Sequence, residues 1–286
     1  MSTTASDSSA PGLSSDGRAD FAKLPGHWVL ARMGKRVLRP GGLGLTRRLL
    51  AALEIGAGDD VVEFAPGLGV TARLTLGRRP ASWTGVEREP AAAAQVGRLL
   101  AGPAQRCVVG EAGKTGLPGG SASVVYGEAM LTMHGAEQKA EIVREAFRLL
   151  RPGGRYGIHE MALAPDSVAD SVKRDILHAL SGAIRVAARP LTVAEWRIVL
   201  EREGFLVRVA ETAPMHLLEP RRLIRDEGFW RALRFVFNVL RTPEARRRVR
   251  AMRGVFRRFA PHLAAVMLVA EKPADAGSPH SAAAGR

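Results

Sequence analysis

The sequence predicts an α/β protein: a doubly wound, seven-stranded sheet with a helical insertion between its last two strands. Three observations carry that expectation. From Asp60 to about Glu160 short apolar runs alternate with helical patterns, which is how a parallel sheet with crossover helices reads. The first run, "VVEFA", breaks into a turn holding Gly67 and Gly69, and a helical segment follows at once. Two more strand patterns close the chain, on either side of a basic, helix-rich block at 219–262.

Taken in order, "VVEFA" is the first strand and "VTARLTLGRR" has helical composition. "ASWTGVE" is the second strand, followed by the alanine-rich "PAAAAQVGRLLAG". "RCVVGEA" and "SASVVYGEAM" are the third and fourth. "AEQKAEIVREAFRLL" sets Ile142, Val143, Ala146, Phe147 and Leu150 on one helical face, and "RPGG" stops it before the fifth strand, "RYGIHEM". Thr192 and Glu195 form a capping-box start for a helix whose Val193, Trp196 and Leu200 share a face. "FLVRVAETA" and "LAAVMLVAEKP" are the last two strands. The resulting division is a tail at 1–20, a helical segment at 21–58, the core at 59–218, a basic helical cap at 219–262, the last strand at 263–273 and a second tail at 274–286. Both tails are rich in small and polar residues and are expected to be disordered.

Composition narrows the function classes. The 286 residues are 46 % hydrophobic, ordinary for a globular protein, and no apolar run is long enough to span a bilayer. One cysteine, Cys107 in the apolar "RCVVG", is expected to be a small buried core residue, and it excludes an internal disulfide framework and a multi-cysteine metal site. Cytoplasm is the expected setting, and no metal is expected. The net charge of +14 is unevenly placed. Phe21 to Leu53 carries seven basic residues and no acid, and Glu219 to His262 carries thirteen against four. Cationic segments thus flank a nearly neutral core.

The glycine turn allows two readings from its residues. Gly67, Gly69 and Ala72 satisfy G-x-G-x-x-G/A, and Glu87 ends the next strand 20 residues after Gly67. That is the dinucleotide fingerprint, in which glycines let the backbone approach a pyrophosphate and an acid takes a ribose hydroxyl. An NAD(P)-dependent oxidoreductase is therefore one alternative. Against it, the first strand ends in an acid, Glu63, which would repel a pyrophosphate but suits a ligand bearing an ammonium group. "VVGEAG", with Glu111 and Ala112 after the third strand, can flank an adenine, the acid taking its amino group. "LLRPGGRYGI" is a helix stopped immediately before a strand.

On these motifs and their order the chain resembles the class I S-adenosylmethionine-dependent methyltransferases, the broad group that includes the quinone-biosynthesis C-methyltransferases. The resemblance covers roughly Asp60 to Glu160 and the closing strands. In that family the first motif is an acid followed by three alternating glycines; here it reads Glu63, Ala65, Gly67, Gly69, with alanine in the first glycine's place. The resemblance implies S-adenosyl-L-methionine as cofactor. Glu63 and the backbone of 65–69 would hold its methionine end, Glu87 its ribose hydroxyls, and Glu111 and Ala112 its adenine. Glutamate at 111 stands where aspartate is common. A methyltransferase-like subunit that binds without catalysing is a further alternative, raised by Ala65.

In an open α/β sheet the ligand lies beyond the carboxyl ends of the strands, which here means "YGEAMLTMH" and "GIHEM". Glu128, His134, His159 and Glu160 are the ionisable residues there. His159 is the candidate base or substrate contact, since imidazole titrates near neutrality, and Glu128 is expected to line the methionine pocket. His134 is expected only to cap the following helix, and Tyr126 to pack in the sheet. The expected partner is a small, rather apolar acceptor molecule. Nucleic acid is disfavoured, because the arginines lack interleaved stacking aromatics and no RNA-binding module is recognisable. Near the N-terminus, Val29, Met33 and Val37 at four-residue spacing predict one helix with an apolar stripe. Phe229, Trp230, Leu233, Phe235, Val236, Phe237, Val239 and Leu240 are too many large apolar residues for a solvated helix. The block 219–262 is therefore expected to cap the acceptor pocket, with peripheral membrane contact or a homodimer as the other uses of that surface.

Overall fold

Val61, Val62 and Phe64 are buried on both sides of a parallel sheet, as a continuous apolar run requires. The computed structural model describes residues 21 and 23–274; the two expected tails, residue 274 apart, lie outside the described residues. Among the described residues eight strands form one sheet: β1 (Asp60–Phe64), β2 (Ser82–Glu87), β3 (Gln105–Val109), β4 (Ala122–Glu128), β5 (Leu150–Leu163), β6 (Leu191–Thr192), β7 (Leu206–Pro214) and β8 (Leu263–Glu271). The order is β3-β2-β1-β4-β5-β8-β7, with the two-residue β6 paired to β5. All pairings are parallel except those of β8, which runs antiparallel to both neighbours. That breaks with the 3-2-1-4-5-6 order of dinucleotide-binding sheets. The seven strands legible in the sequence are all present; β6 is too short to leave a pattern.

The helices are α1 (Gly26–Arg32), α2 (Gly42–Ala52), α3 (Val70–Leu76), α4 (Pro90–Gly97), α5 (Ala136–Leu149), α6 (Asp170–Ile184), α7 (Val193–Arg202), α8 (Pro220–Glu227), α9 (Phe229–Arg241) and α10 (Pro243–Arg258). One sheet face packs a cluster containing Leu45 and Leu49 of α2 and Leu53 just beyond it with Val61, Trp83, Val124 and Tyr126. The other packs Ile142, Val143, Ala146 and Leu149 of α5 with Trp196 and Leu200 of α7. The α7 start is the expected capping box: Thr192 Oγ1 accepts from Glu195 N and Glu195 Oε2 accepts from Thr192 N. A third cluster joins α1, α6 and α8–α10, which stack beside the sheet.

Three expectations need correction. The stripe of Val29, Met33 and Val37 does not lie on one helix. α1 stops at Arg32 because Gly34 turns left-handed (φ +104°). Gly34 N–H bonds Ala31 O and Lys35 N–H bonds Leu30 O, a Schellman ending. All three residues are still buried, Val37 from a non-helical strap, residues 33–41, that leads into α2. Leu150 is the first residue of β5 rather than the last on the face of α5, and residues 151–154 belong to that strand. Cys107 is only half-buried. α6 had no counterpart in the sequence patterns.

Candidate active site

The sheet order reverses between β1 and β4, so the ends of these strands open the crevice where α/β sheets bind ligands. After Phe64 the chain turns through Ala65 (φ +51°), Gly67 (φ +54°) and Gly69 (φ +69°) into α3. Alanine therefore occupies a left-handed position that glycine adopts without strain, and the turn keeps its shape. The two glycines are needed for different reasons. A Cβ on Gly69 would lie 2.5 Å from Leu99 Cδ1, whereas one on Gly67 would meet only Ala65 O at 3.8 Å. Gly69 lets α3 approach α4, and Gly67 leaves the outer side of the turn bare.

Register explains which side chains meet. Glu63 is paired with Tyr126 across β1 and β4, and Glu128 with His159 across β4 and β5. With a side-chain period of two, all four share the face covered by α2 and α3. The Tyr126 hydroxyl donates to Glu63 Oε2 at 2.6 Å and lies 2.7 Å from Thr75 Oγ1. Tyr126 thus packs in the sheet as expected, but it is also the partner of the motif's acid. Burial pushes the Glu63 carboxyl up to about 8, with the nearby Glu128 carboxylate adding to the rise and the Tyr126 hydrogen bond opposing it.

At the end of β2, Glu87 turns back to the glycine turn: its Oε2 accepts from Gly67 N at 2.9 Å and its Oε1 from Glu89 N at 3.1 Å. Two carboxylates thus flank the turn, and one already holds the amide that a pyrophosphate would need. Beyond β3, Gly110 N–H bonds Glu87 O, which ties the next loop to this corner. There Glu111 is exposed and Ala112 half-buried, in a tight turn closed by Lys114 N–H to Glu111 O.

The other half of the site is a polar network that sequence reading found only in part. Glu128 Oε1 accepts from His159 Nδ1 (2.7 Å) and Thr46 Oγ1 (2.6 Å), and its Oε2 pairs with Arg39 Nη1 at 2.6 Å and with Thr71 Oγ1. Burial alone would raise the Glu128 carboxyl, but the Arg39 guanidinium and then the His159 hydrogen bond outweigh it and hold it at about 2. His159 is fully buried, and its Nε2 accepts from Gly41 N–H at 3.0 Å, which leaves the ring proton on Nδ1. Both ring nitrogens are therefore engaged. Glu160, on the opposite face, accepts from the amides of Met130, Leu131 and Thr132 and from the Thr132 hydroxyl, and so shapes the loop after β4. His134 sits at the end of the short 3-10 turn 131–133, and its Nδ1 is 3.4 Å from Gln138 Oε1 at the start of α5.

Arg39, Thr46 and Thr71 were missed because no local pattern marks them. Arg39 comes from the strap, and its cationic neighbourhood was the one available signal. The strap is also held from outside. Arg36 N and Val37 N both donate to Glu227 Oε1 at 2.8 Å, Leu43 N donates to Asp226 Oδ1 at 3.1 Å, and Arg222 donates to Gly41 O. The acids of α8 thus grip the backbone of the segment whose Arg39 reaches Glu128.

Over residues 61–154 the chain matches the family described as "Methyltransferase domain". An uncharacterized protein of Haemophilus influenzae is 32 % identical over 220 residues, 76 % of this chain and 86 % of that protein. Among solved structures, the cyclopropane synthase MmaA2 of Mycobacterium tuberculosis superposes with a TM-score of 0.66 at 13 % identity, covering 88 % of this chain and 98 % of that one. The phosphoethanolamine N-methyltransferase 2 of Haemonchus contortus, in complex with S-adenosyl-L-methionine, gives 0.65 at 14 % identity, covering 87 % of this chain and 57 % of that one. The matched stretch runs from β1 into β5, so the chain carries a methyltransferase domain there, on the fold that class I S-adenosylmethionine-dependent methyltransferases share.

Proposed function

We propose that this protein transfers the methyl group of S-adenosyl-L-methionine to a small, rather apolar acceptor, in a cytoplasmic setting. The observation that carries the reading is the pair of carboxylates, Glu63 and Glu87, on either side of a left-handed turn with one bare face. The pair suits an ammonium group and a vicinal diol, while Glu87 already occupies the Gly67 amide that a diphosphate would need. Glu63 would take the ammonium, which would draw off the proton that burial keeps on the carboxyl. Glu87 has lone pairs beyond those used by Gly67 and Glu89 and can accept from both ribose hydroxyls. The backbone of Ala65, Gly67 and Gly69 would cradle the methionine end, and Glu128 would line that pocket. Glu111 and Ala112 would border the adenine.

When bound, the cofactor supplies an electrophilic methyl on a sulfonium that leaves neutral. The protein's own task is then alignment and exclusion of water. Arg39 and the strap cover the Glu128 side of the crevice. His159 has no ring nitrogen to spare, so the role its geometry supports is positioning: it orients Glu128 and fixes the strap at Gly41, rather than acting as a base. Met33, Met161, Leu163, Leu217, Leu218 and Leu223, in the cluster behind the strap, support an apolar acceptor.

Calorimetric titration with S-adenosylhomocysteine and, separately, with NADH tests the cofactor. Binding of the first alone is expected. A protein that binds NADH and ignores S-adenosylhomocysteine would overturn the assignment, and turnover of no acceptor despite tight binding would leave a binding subunit.

A further inference from the structure

α9 carries apolar residues on two adjoining faces, one buried and one exposed. Ala232, Phe235 and Val239 face inward and are buried in the cluster shared with α1 and α6. Phe229, Trp230, Leu233, Val236, Phe237 and Leu240 face outward, with Trp230 78 % exposed and none of the six below 42 %. Their spacing of one, three or four residues puts them on one continuous stripe. Ile224 of α8, also exposed, lies on the preceding helix. Six large apolar side chains in one stripe far exceed the scattered exposure that needs no explanation.

The charges beside the stripe say what covers it. α9 has three arginines, Arg231, Arg234 and Arg241, and no acid. By helical position Arg234 and Arg241 follow directly beside Trp230 and Phe237, and the Arg241 guanidinium lies 5.2 Å from the Phe237 ring centroid. Arg225 and Arg247 are exposed on the flanking helices. A second copy would have to set one cationic stripe against another, since an isologous contact pairs a surface with itself. An anionic bilayer complements both features. Aromatic and aliphatic side chains enter the boundary between headgroups and acyl chains, and arginines beside them meet lipid phosphates. At 13 residues α9 is too short to span, and among the described residues no helix is long and apolar enough to cross a membrane, so the helix would lie in the membrane plane.

We propose that the outer face of α9 docks this protein on an anionic lipid bilayer. This stands apart from the methyl-transfer reading. If that reading also holds, docking places the bilayer beside the strap, because Asn238 of the same helix donates to Met33 O at 3.0 Å.

The test is co-sedimentation of the full chain with vesicles of phosphatidylcholine alone and with about 30 mol % phosphatidylglycerol. Binding is expected to the anionic vesicles, at least about tenfold weaker to neutral ones, and weakened by added salt. Trp230→Ala with Phe237→Ala should lower partitioning by about tenfold or more, and Arg231→Gln with Arg234→Gln and Arg241→Gln should remove the preference for anionic lipid. All five side chains are exposed, so thermal melting should be unchanged. Absence of binding to anionic vesicles, or equal binding to both kinds, overturns the proposal. So does a concentration-dependent dimer in light scattering that Trp230→Glu dissolves while vesicles leave the wild-type protein unbound.

Discussion

The position of Glu63 makes the pH dependence of cofactor binding a direct test of its role. Its carboxyl, buried against Tyr126, holds its proton up to about 8. A ligand ammonium that pairs with it needs the ionised form, so below that pH every binding event must first remove a proton. Removing it at pH 6 costs about 2.7 kcal/mol, two units at 1.36 kcal/mol each. At pH 7.5 the cost is under about 1 kcal/mol by the same relation. Affinity for S-adenosylhomocysteine should therefore rise by roughly 25-fold from pH 6 to 7.5. Close to one proton should be released per ligand bound at the lower pH. Calorimetry in two buffers of different ionisation enthalpy measures both quantities. Glu63→Gln should flatten the profile, and Tyr126→Phe, which removes a donor to the charged form, should steepen it. A wild-type affinity independent of pH, or the same slope in Glu63→Gln, would falsify the pairing of Glu63 with the ammonium.

The same carboxyl also affects stability. Its folded-state value lies above its ordinary 4.5, so the unliganded fold should lose stability as pH rises from about 4.5 through about 8, and added S-adenosylhomocysteine should offset more of that loss toward the upper end; thermal melts across the window check the sign. Ala65→Gly should stabilise the protein by about 0.5–1 kcal/mol in urea unfolding, because relief at φ +51° exceeds the added freedom of the unfolded chain; a loss of stability would show that the alanine methyl packs usefully. Gly69→Ala should cost about 2–3 kcal/mol of stability through its contact with Leu99. Gly67→Ala should cost only about 1 kcal/mol of stability while weakening S-adenosylhomocysteine binding more than its fold. Glu128→Ala strands Arg39 and should destabilise by about 3–5 kcal/mol near neutral pH. The difference from wild type should shrink as pH falls from about 4.5 toward 2, since the carboxyl's depressed value gives stability that acid removes.

The legible part of the site is the part encoded locally. Gly67 and Gly69 announce themselves because a strand that must stop, turn left-handed and restart as a helix favours glycine there, and Glu63 and Glu87 because each is an acid at the end of an apolar run. The network around Glu128 was legible at two of its members, Glu128 and His159, since both end apolar runs. Its other members come from a strap and two helix starts. Arg39 is 89 residues from Glu128 in sequence, and no short-range pattern links such positions.

The sequence by itself determined the sheet, the left-handed turn and the excess of arginine around a helical block, because continuous apolar runs, glycine placement and charge are properties of neighbouring residues. Tertiary structure decided the rest. It sent the strap that follows α1 across the crevice, where α8 acids could grip its backbone. It gave both nitrogens of His159 to Glu128 and Gly41, partners that a lone histidine in a strand does not announce. It buried Phe235 and Val239 and left Trp230 and Phe237 outside. Which side of an amphipathic helix faces protein depends on what the rest of the chain brings against it, and a helix apolar on two sides does not choose alone.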